Sequence, residues 1–288
     1  LRKPVTVLKR LQLGLRNQTP TFVIVTSVLV IHVIVALSGS WWAPYDPFIM
    51  LAGKPFDPPS WGHWFGTDNL GRDVFSRVVY GERFVLFPAL MASGLAAVVG
   101  SAIGIILAYK RAWTELIGMR VVDLILCLPN LVVILIVLSA LGSSTIVMIL
   151  TIAFFFTWIV VQTVRSAALA IVTEDFVTKA TLRGESAWSV ALREILPNVT
   201  STVFVEFSLR TGYAVFFMGA LSFLGYAAKP PTPEWGLMIN EGRAVISAAP
   251  WMVLGPALAL ASLVVALGLF TEGVSEILGL TSRRQPAK

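Results

Sequence analysis

The sequence predicts an all-α integral membrane protein with six transmembrane helices, and three observations lead there. First, 56% of the 288 residues are hydrophobic and only 13% are charged, whereas soluble chains carry about 25% charged residues; mean hydropathy is +0.80. Second, six apolar runs lie near residues 22–37, 85–109, 121–141, 145–164, 199–224 and 251–270. A helix needs about 20 such residues to cross hydrocarbon with its backbone polar groups satisfied internally. Third, the runs are continuously apolar with small residues at helical spacing, unlike the short alternating segments of a transmembrane barrel.

The formal charge of +6 is informative by position, because Lys and Arg near span ends favour the cytoplasmic side. With a cytoplasmic N-terminus, Lys54, Arg72, Arg77, Arg83, Lys229 and Arg243 fall outside and Arg210 lies in a span. The other fifteen of the 22 basic residues fall inside, which predicts both termini to be cytoplasmic. No basic patch interleaved with aromatics stands on a soluble module, so membrane topology accounts for the excess better than nucleic acid does. A single cysteine, Cys127, precludes an intrachain disulfide and reads as a packing residue of the third span.

Taken in order, residues 1–20 are a basic segment expected at the inner surface. The first span reads as an uncleaved signal anchor: it is too long for a signal peptide and lacks a small-residue cleavage site. It forms one unit with an outside segment, over residues 21–84. That segment begins with Trp41 and Trp42, interfacial anchors by type, passes through a proline-rich stretch, and from Asp68 onward suits a helix feeding the second span. The remaining spans make a core over residues 85–273, followed by a cytoplasmic tail, 274–288.

In the second span Ala96, Gly100, Gly104 and Ala108 recur every fourth position, with Gly100 and Gly104 forming a GxxxG. Such a face lets helices approach closely, either within the bundle or against a partner subunit. Pro129 predicts a kink in the third span, and Asp123 near its cytoplasmic end either snorkels or pairs with a cation such as Arg120. In the fifth span Glu206 and Arg210 are spaced i, i+4 with the acid first, the order that favours a helix ion pair.

Between the fourth and fifth spans lies a polar island, residues 173–198. Thr173 is placed to cap a helix with Glu174 and Asp175 in its first turn and Lys179 and Arg183 toward its end, as the helix dipole prefers. Phe176, Val177 and Ala180 give it a modest apolar face. Gly184 suits a left-handed position after the helix. Ser186 is expected to cap a second helix with Trp188, Leu192 and Ile195 along one face and Pro197 at its end.

This island resembles the cytoplasmic loop of type I ABC importer permeases, where an E-A-A, a glycine and a later L-P mark the helix that docks on an ATPase subunit. The matching positions here are Thr178, Lys179 and Ala180, then Gly184, then Leu196 and Pro197; Thr178 and Lys179 depart from the usual residues. Two longer stretches, WFGTDNLGRDVFSRVVYGERF at 64–84 and LSFLGYAAKPPTPEWGLMINEGR at 221–243, resemble the C-type permease subunit of dipeptide, oligopeptide and nickel importers. The likeness covers residues 20–280, though Phe270, Thr271, Glu272 and Gly273 depart from the family's usual end to the last span.

The resemblance implies the type I permease fold in a bacterial inner membrane. Its implied partners are a homologous B-type permease, two ATPase subunits that bind ATP and Mg, and an extracytoplasmic solute-binding protein. It places ATPase coupling on Asp175, Phe176, Val177, Thr178, Lys179, Ala180, Arg183 and Gly184. Asp68, Arg72, Asp73, Arg77, Pro231, Trp235, Glu241 and Arg243 are candidates for external docking or gating. Read as residues alone, the charges at 68–83 alternate in sign at helical steps, and can pair with one another or with another chain.

The chain has no phosphate loop of the G-x-x-x-x-G-K-[ST] type. His32 and His63, its two histidines, do not cluster in sequence with carboxylates or the cysteine, so neither a metal site nor a nucleophilic triad is expected. The expected role is transport of a dipeptide or oligopeptide, with no enzyme activity and no cofactor of the chain's own. A nickel chelate or haem are the alternative cargoes. An ion-coupled secondary transporter is the competing class, with Glu206 and Arg210 as its intramembrane candidates.

Overall fold

The computed structural model describes residues 20–280; the expectations for residues 1–19 and 281–288 lie outside them. The described residues form helices α1 Pro20–Trp42, α2 Val74–Lys110, α3 Ala112–Leu126, α4 Asn130–Leu141, α5 Thr145–Val172, α6 Asp175–Leu182, α7 Ala187–Val190, α8 Leu196–Phe223, α9 Trp235–Arg243 and α10 Trp251–Ile277. A π-helical turn, Ala191–Ile195, joins α7 to α8. One isolated antiparallel bridge links Thr67 and Asp73.

Among the described residues, four helices are long and apolar enough to cross a membrane: α1, α2, α5 and α10. The third expected span is broken, with α3 and α4 meeting at 79° and counting as a fifth span when taken together. Pro129 causes more than a kink. It lacks an N–H, it disfavours helix at Leu128, and it becomes the N-cap of α4. Cys127 sits at this bend and is exposed, correcting its assignment as a packing residue. The expected fifth span, α8, is long enough at 28 residues. It falls short in apolarity because Thr200, Ser201, Thr202, Glu206, Ser208, Arg210 and Thr211 crowd residues 200–211.

Helices α2 and α5 pack more extensively than any other pair, and the small-residue face explains why. A Cβ on Gly100 would lie 2.7 Å from the Thr157 carbonyl oxygen, and one on Gly104 would lie 2.9 Å from that of Val161. Ala96 and Ala108 are fully buried on the same face. The GxxxG therefore serves packing within this chain. Helix α1 is mostly exposed, and its His32 reaches Glu82 of α2 at 2.8 Å and Ser262 of α10 at 3.1 Å. Asp123 is exposed and makes no ion pair with Arg120 among the described residues. At the far end, α10 runs on to Ile277, so the expected tail begins inside a helix.

Candidate functional site

The island folds as an elbow. Thr173 closes α5, donating its hydroxyl to Ala170 O at 3.0 Å, and Glu174 takes the N-cap of α6 in its place. Gly184 adopts φ +77. Its N–H donates to Thr181 O at 3.0 Å and the Glu185 N–H to Ala180 O at 3.3 Å, the pair of bonds that closes a helix through a left-handed residue. Ser186 caps α7, accepting from Ser189 N at 3.2 Å. Pro197 does not end this second helix. It falls in the first turn of α8, where its missing N–H is tolerated, and the π turn carries the chain across.

One face of the elbow is locked to the bundle. Val177, Ala180, Val190, Ala191 and Ile195 are buried with Ile105 and Ala108 of α2 and Val160, Val164 and Ala168 of α5, and Tyr109 meets the Thr181 hydroxyl at 3.2 Å. Trp188 and Leu192, expected on one face with Ile195, are exposed, as is Leu182, while Ile195 is buried. The π turn changes the phase of the buried stripe. Asp175, Phe176, Thr178, Lys179, Arg183 and Gly184 also face outward, so of the eight coupling candidates only Val177 and Ala180 are inward.

Two partners of Arg183 escaped sequence reasoning. Its guanidinium donates to Glu185 at 2.6 and 3.1 Å, and lies 4.0 Å from Glu194. The Arg183 contact, with the Ser189 hydroxyl at 3.0 Å, holds the Glu185 carboxyl below its usual range. A glutamate just past a glycine was the available signal. The elbow is thus an exposed ledge that carries Phe176, Leu182, Trp188 and Leu192 together with charged groups, its inner face packed on the bundle.

At the other end of α2, the 64–84 stretch folds back on itself. Helix α2 begins at Val74 and not at Asp68, because Asp73 caps it: the Asp73 carboxylate accepts from Ser76 N at 2.7 Å and from the Ser76 hydroxyl at 2.6 Å. Gly66 (φ +66) and Gly71 (φ +72) make the turns that bring Asp68 round. Asp68 then accepts from Arg72 Nε at 2.5 Å and Arg77 Nη1 at 3.1 Å, while both arginines reach Glu241 of α9 at 3.2 and 3.3 Å. Arg72 and Arg77 are each 1% exposed. Of the two readings open for these charges, the side chains pair within the chain.

Trp235 is also buried, donating its indole N–H to Val78 O at 2.9 Å. Gly81 is required opposite it, since any Cβ there would collide with Pro233 O. Pro231 and Arg243 remain exposed, the latter with its guanidinium 5.4 Å from the Phe223 ring centre. The expectation that the histidines stay clear of carboxylates is corrected: His63 meets Asp73 at 2.9 Å as His32 meets Glu82. Sequence distance hid both pairs. Neither gathers enough donors for an ion, and no group of three metal-ligating side chains occurs among the described residues. In α8, Arg210 donates to Glu206 at 3.0 Å, so each neutralises the other.

Comparison with known proteins now fits this arrangement. Residues 100–282 match the family described as binding-protein-dependent transport system inner membrane component. The chain is 35% identical over 256 residues to the glutathione transport system permease protein GsiD of Escherichia coli O1:K1 / APEC, covering 87% of this chain and 83% of that one. The same figures hold for GsiD of Shigella boydii serotype 4 (strain Sb227) and Shigella dysenteriae serotype 1 (strain Sd197). A ledge and a brace at opposite ends of one long helix, in a chain so matched over most of its length, place it in the binding-protein-dependent inner membrane component family, as a permease subunit of the peptide and nickel branch of ABC importers.

Proposed function

We propose that the chain is one of two permease subunits of an ATP-driven importer of short peptides, and that the elbow is where force enters. The other members are a homologous permease, two ATPase subunits holding ATP and Mg, and an external binding protein. In this reading α8 is the fifth of six spans, both termini are cytoplasmic, and substrate crosses between the two permeases as they alternate between inward and outward states. The observation that carries the proposal is the elbow's two-faced construction. Its inner face is packed on α2 and α5, so a push on Asp175, Phe176, Thr178, Lys179, Arg183 or the Gly184 turn is delivered to the core. Peptide cargo is favoured because relatives 35% identical are named for glutathione, itself a small peptide; a nickel chelate or haem is the alternative. The pairing of Glu206 with Arg210 leaves the ion-coupled class without a free intramembrane acid from that pair.

In this mechanism the chain does no bond chemistry. The buried Asp68, Arg72, Arg77 and Glu241 cluster ties the segment before α2 to α9, so that the outer end of the bundle moves as one body and not as separate loops. Reconstitution of the chain with these three kinds of partner in vesicles tests the proposal. Uptake of a short peptide should require ATP and persist when a protonophore collapses the proton gradient, and this chain alone should move nothing. Uptake lost with the gradient while ATP is supplied would assign the chain to the ion-coupled class.

A further inference from the structure

Five carboxylates are buried among the described residues: Asp68, Asp73, Glu82, Glu206 and Glu234. Four of them face a cation or a histidine. Glu234 does not. Its oxygens accept only the backbone N–H groups of Gly236, at 3.1 Å, and Leu237, at 2.9 Å, as the N-cap of α9. Beside it the Ser222 hydroxyl, 1% exposed, makes no hydrogen bond of ordinary geometry. Both line a cavity of about 300 Å³ at the α8–α9 and α4–α5 loops, where Ser143, Ser144 and Thr232 add hydroxyls. The remaining charged lining residue is Lys229, exposed. Phe84 of α2, Met148 of α5 and Met218 of α8 complete walls that bring no charge.

A buried charged acid without a counter-charge is costly, and an acid so placed in a cleft marks a candidate functional site. We propose that this cavity is a subsite for a primary ammonium group, the free amino end of a short peptide, held by Glu234 with Ser222 as a further acceptor. This rests on the peptide-importer reading, which places these loops outside.

The donor set selects the class. An ammonium brings three N–H donors and needs only acceptors, and each Glu234 oxygen has accepted just one bond. A hard divalent ion asks for more oxygen ligands, commonly several of them carboxylate, than one acid provides. The cavity lies at the small end of the range for ligand sites, enough for one residue of a peptide. Lys229 at the mouth suits its anionic or carbonyl end. Burial pushes the Glu234 carboxyl up to about 7, against the opposing N–H bonds from Leu237 and Gly236 and the nearness of the Ser222 hydroxyl. An ammonium ligand and a proton therefore compete for this group near neutral pH.

The test uses the assembled importer and dicyclohexylcarbodiimide, which modifies protonated carboxyls in apolar surroundings. Mass spectrometry follows the total modification of Glu234, counting both the N-acylurea and the amide that an amine forms with the activated carboxyl. Millimolar glycinamide should slow labelling by about tenfold, and N-acetylglycinamide, which lacks the ammonium, should not; equal protection by both, or by neither, overturns the assignment. Ser222→Ala leaves the cap of α9 in place and should weaken protection by glycinamide about fivefold, the effect of one hydrogen bond of ordinary strength. Unchanged protection in that variant overturns the part given to Ser222. Labelling needs no ATP turnover, so this result is separate from whether uptake is ATP-driven.

Discussion

Gly184→Val isolates the geometry of the elbow from its contacts. A Cβ at position 184 would meet nothing within 4 Å, so the substitution removes no packing and its first carbon has open space. Its cost lies in the backbone, at φ +77. A left-handed conformation costs an L-residue about 1–2 kcal/mol, and more for a β-branched one. If the backbone relaxes instead, the bonds from Gly184 N to Thr181 O and from Glu185 N to Ala180 O are lost, and Arg183 and Glu185 swing with them. At about 2 kcal/mol the correctly bent elbow becomes roughly thirtyfold less populated relative to its competitors. The assay is ATP hydrolysed per solute imported by the reconstituted complex. Valine should raise this ratio about tenfold or more, while Gly184→Asn, which tolerates the left-handed region, should stay close to the parent. If valine and asparagine both preserve the parental ratio, the bend at 184 does not transmit the push.

Other outcomes follow from the same structure. Asp68→Asn leaves Arg72 and Arg77 buried with Glu241 alone and should destabilise the purified complex by about 3–5 kcal/mol in thermal melts; Glu241→Gln should cost less, because Glu241 is 19% exposed. Gly100→Val drives a Cβ against the Thr157 carbonyl and should lower stability by about 1–3 kcal/mol, with chemical cross-linking reporting a wider α2–α5 gap. Glu234 gives a pH signature: its folded pKa of about 7 stands above the ordinary 4.5. The folded state therefore holds the proton more tightly, and its contribution is fully present below about pH 4.5. It is lost as pH rises toward 7, by about 3 kcal/mol in all. Glu234→Gln should flatten that slope in melts taken across the range, and an unchanged slope would place the titration elsewhere.

Local signals were legible and distant ones were not. Gly184 announced its left-handed turn, Ser186 its cap, and the i, i+4 spacing the Glu206–Arg210 pair, because each depends on neighbours within one turn of helix. The four-residue recurrence from Ala96 to Ala108 marked a close-packing face, but spacing alone left α5 and a partner subunit equally open as its mate. Pairings across the chain had no such signal: His32 with Glu82 and Arg77 with Glu241 are separated by 50 and 164 positions. Thr173 shows a local rule losing to its context. It is a good capping residue, yet α5 continues to Val172 and uses the hydroxyl at its own end. Trp188, Leu192 and Ile195 were placed on one face by counting at 3.6 residues per turn, which fails across a π turn: Ile195 is buried while Trp188 and Leu192 are exposed.

That wide turn, Ala191–Ile195, has a consequence for any alignment or redesign of this joint. Each helical residue rotates the chain by about 100°, so one surplus residue offsets everything beyond it by nearly a third of a revolution. Removing a residue from 191–195 would restore regular winding and spin Glu206, Arg210 and Tyr213 to new azimuths relative to Val177 and Ala180, without altering either segment. The joint is a phase adjuster, and its length, more than its composition, sets which side of α8 looks toward the rest of the assembly.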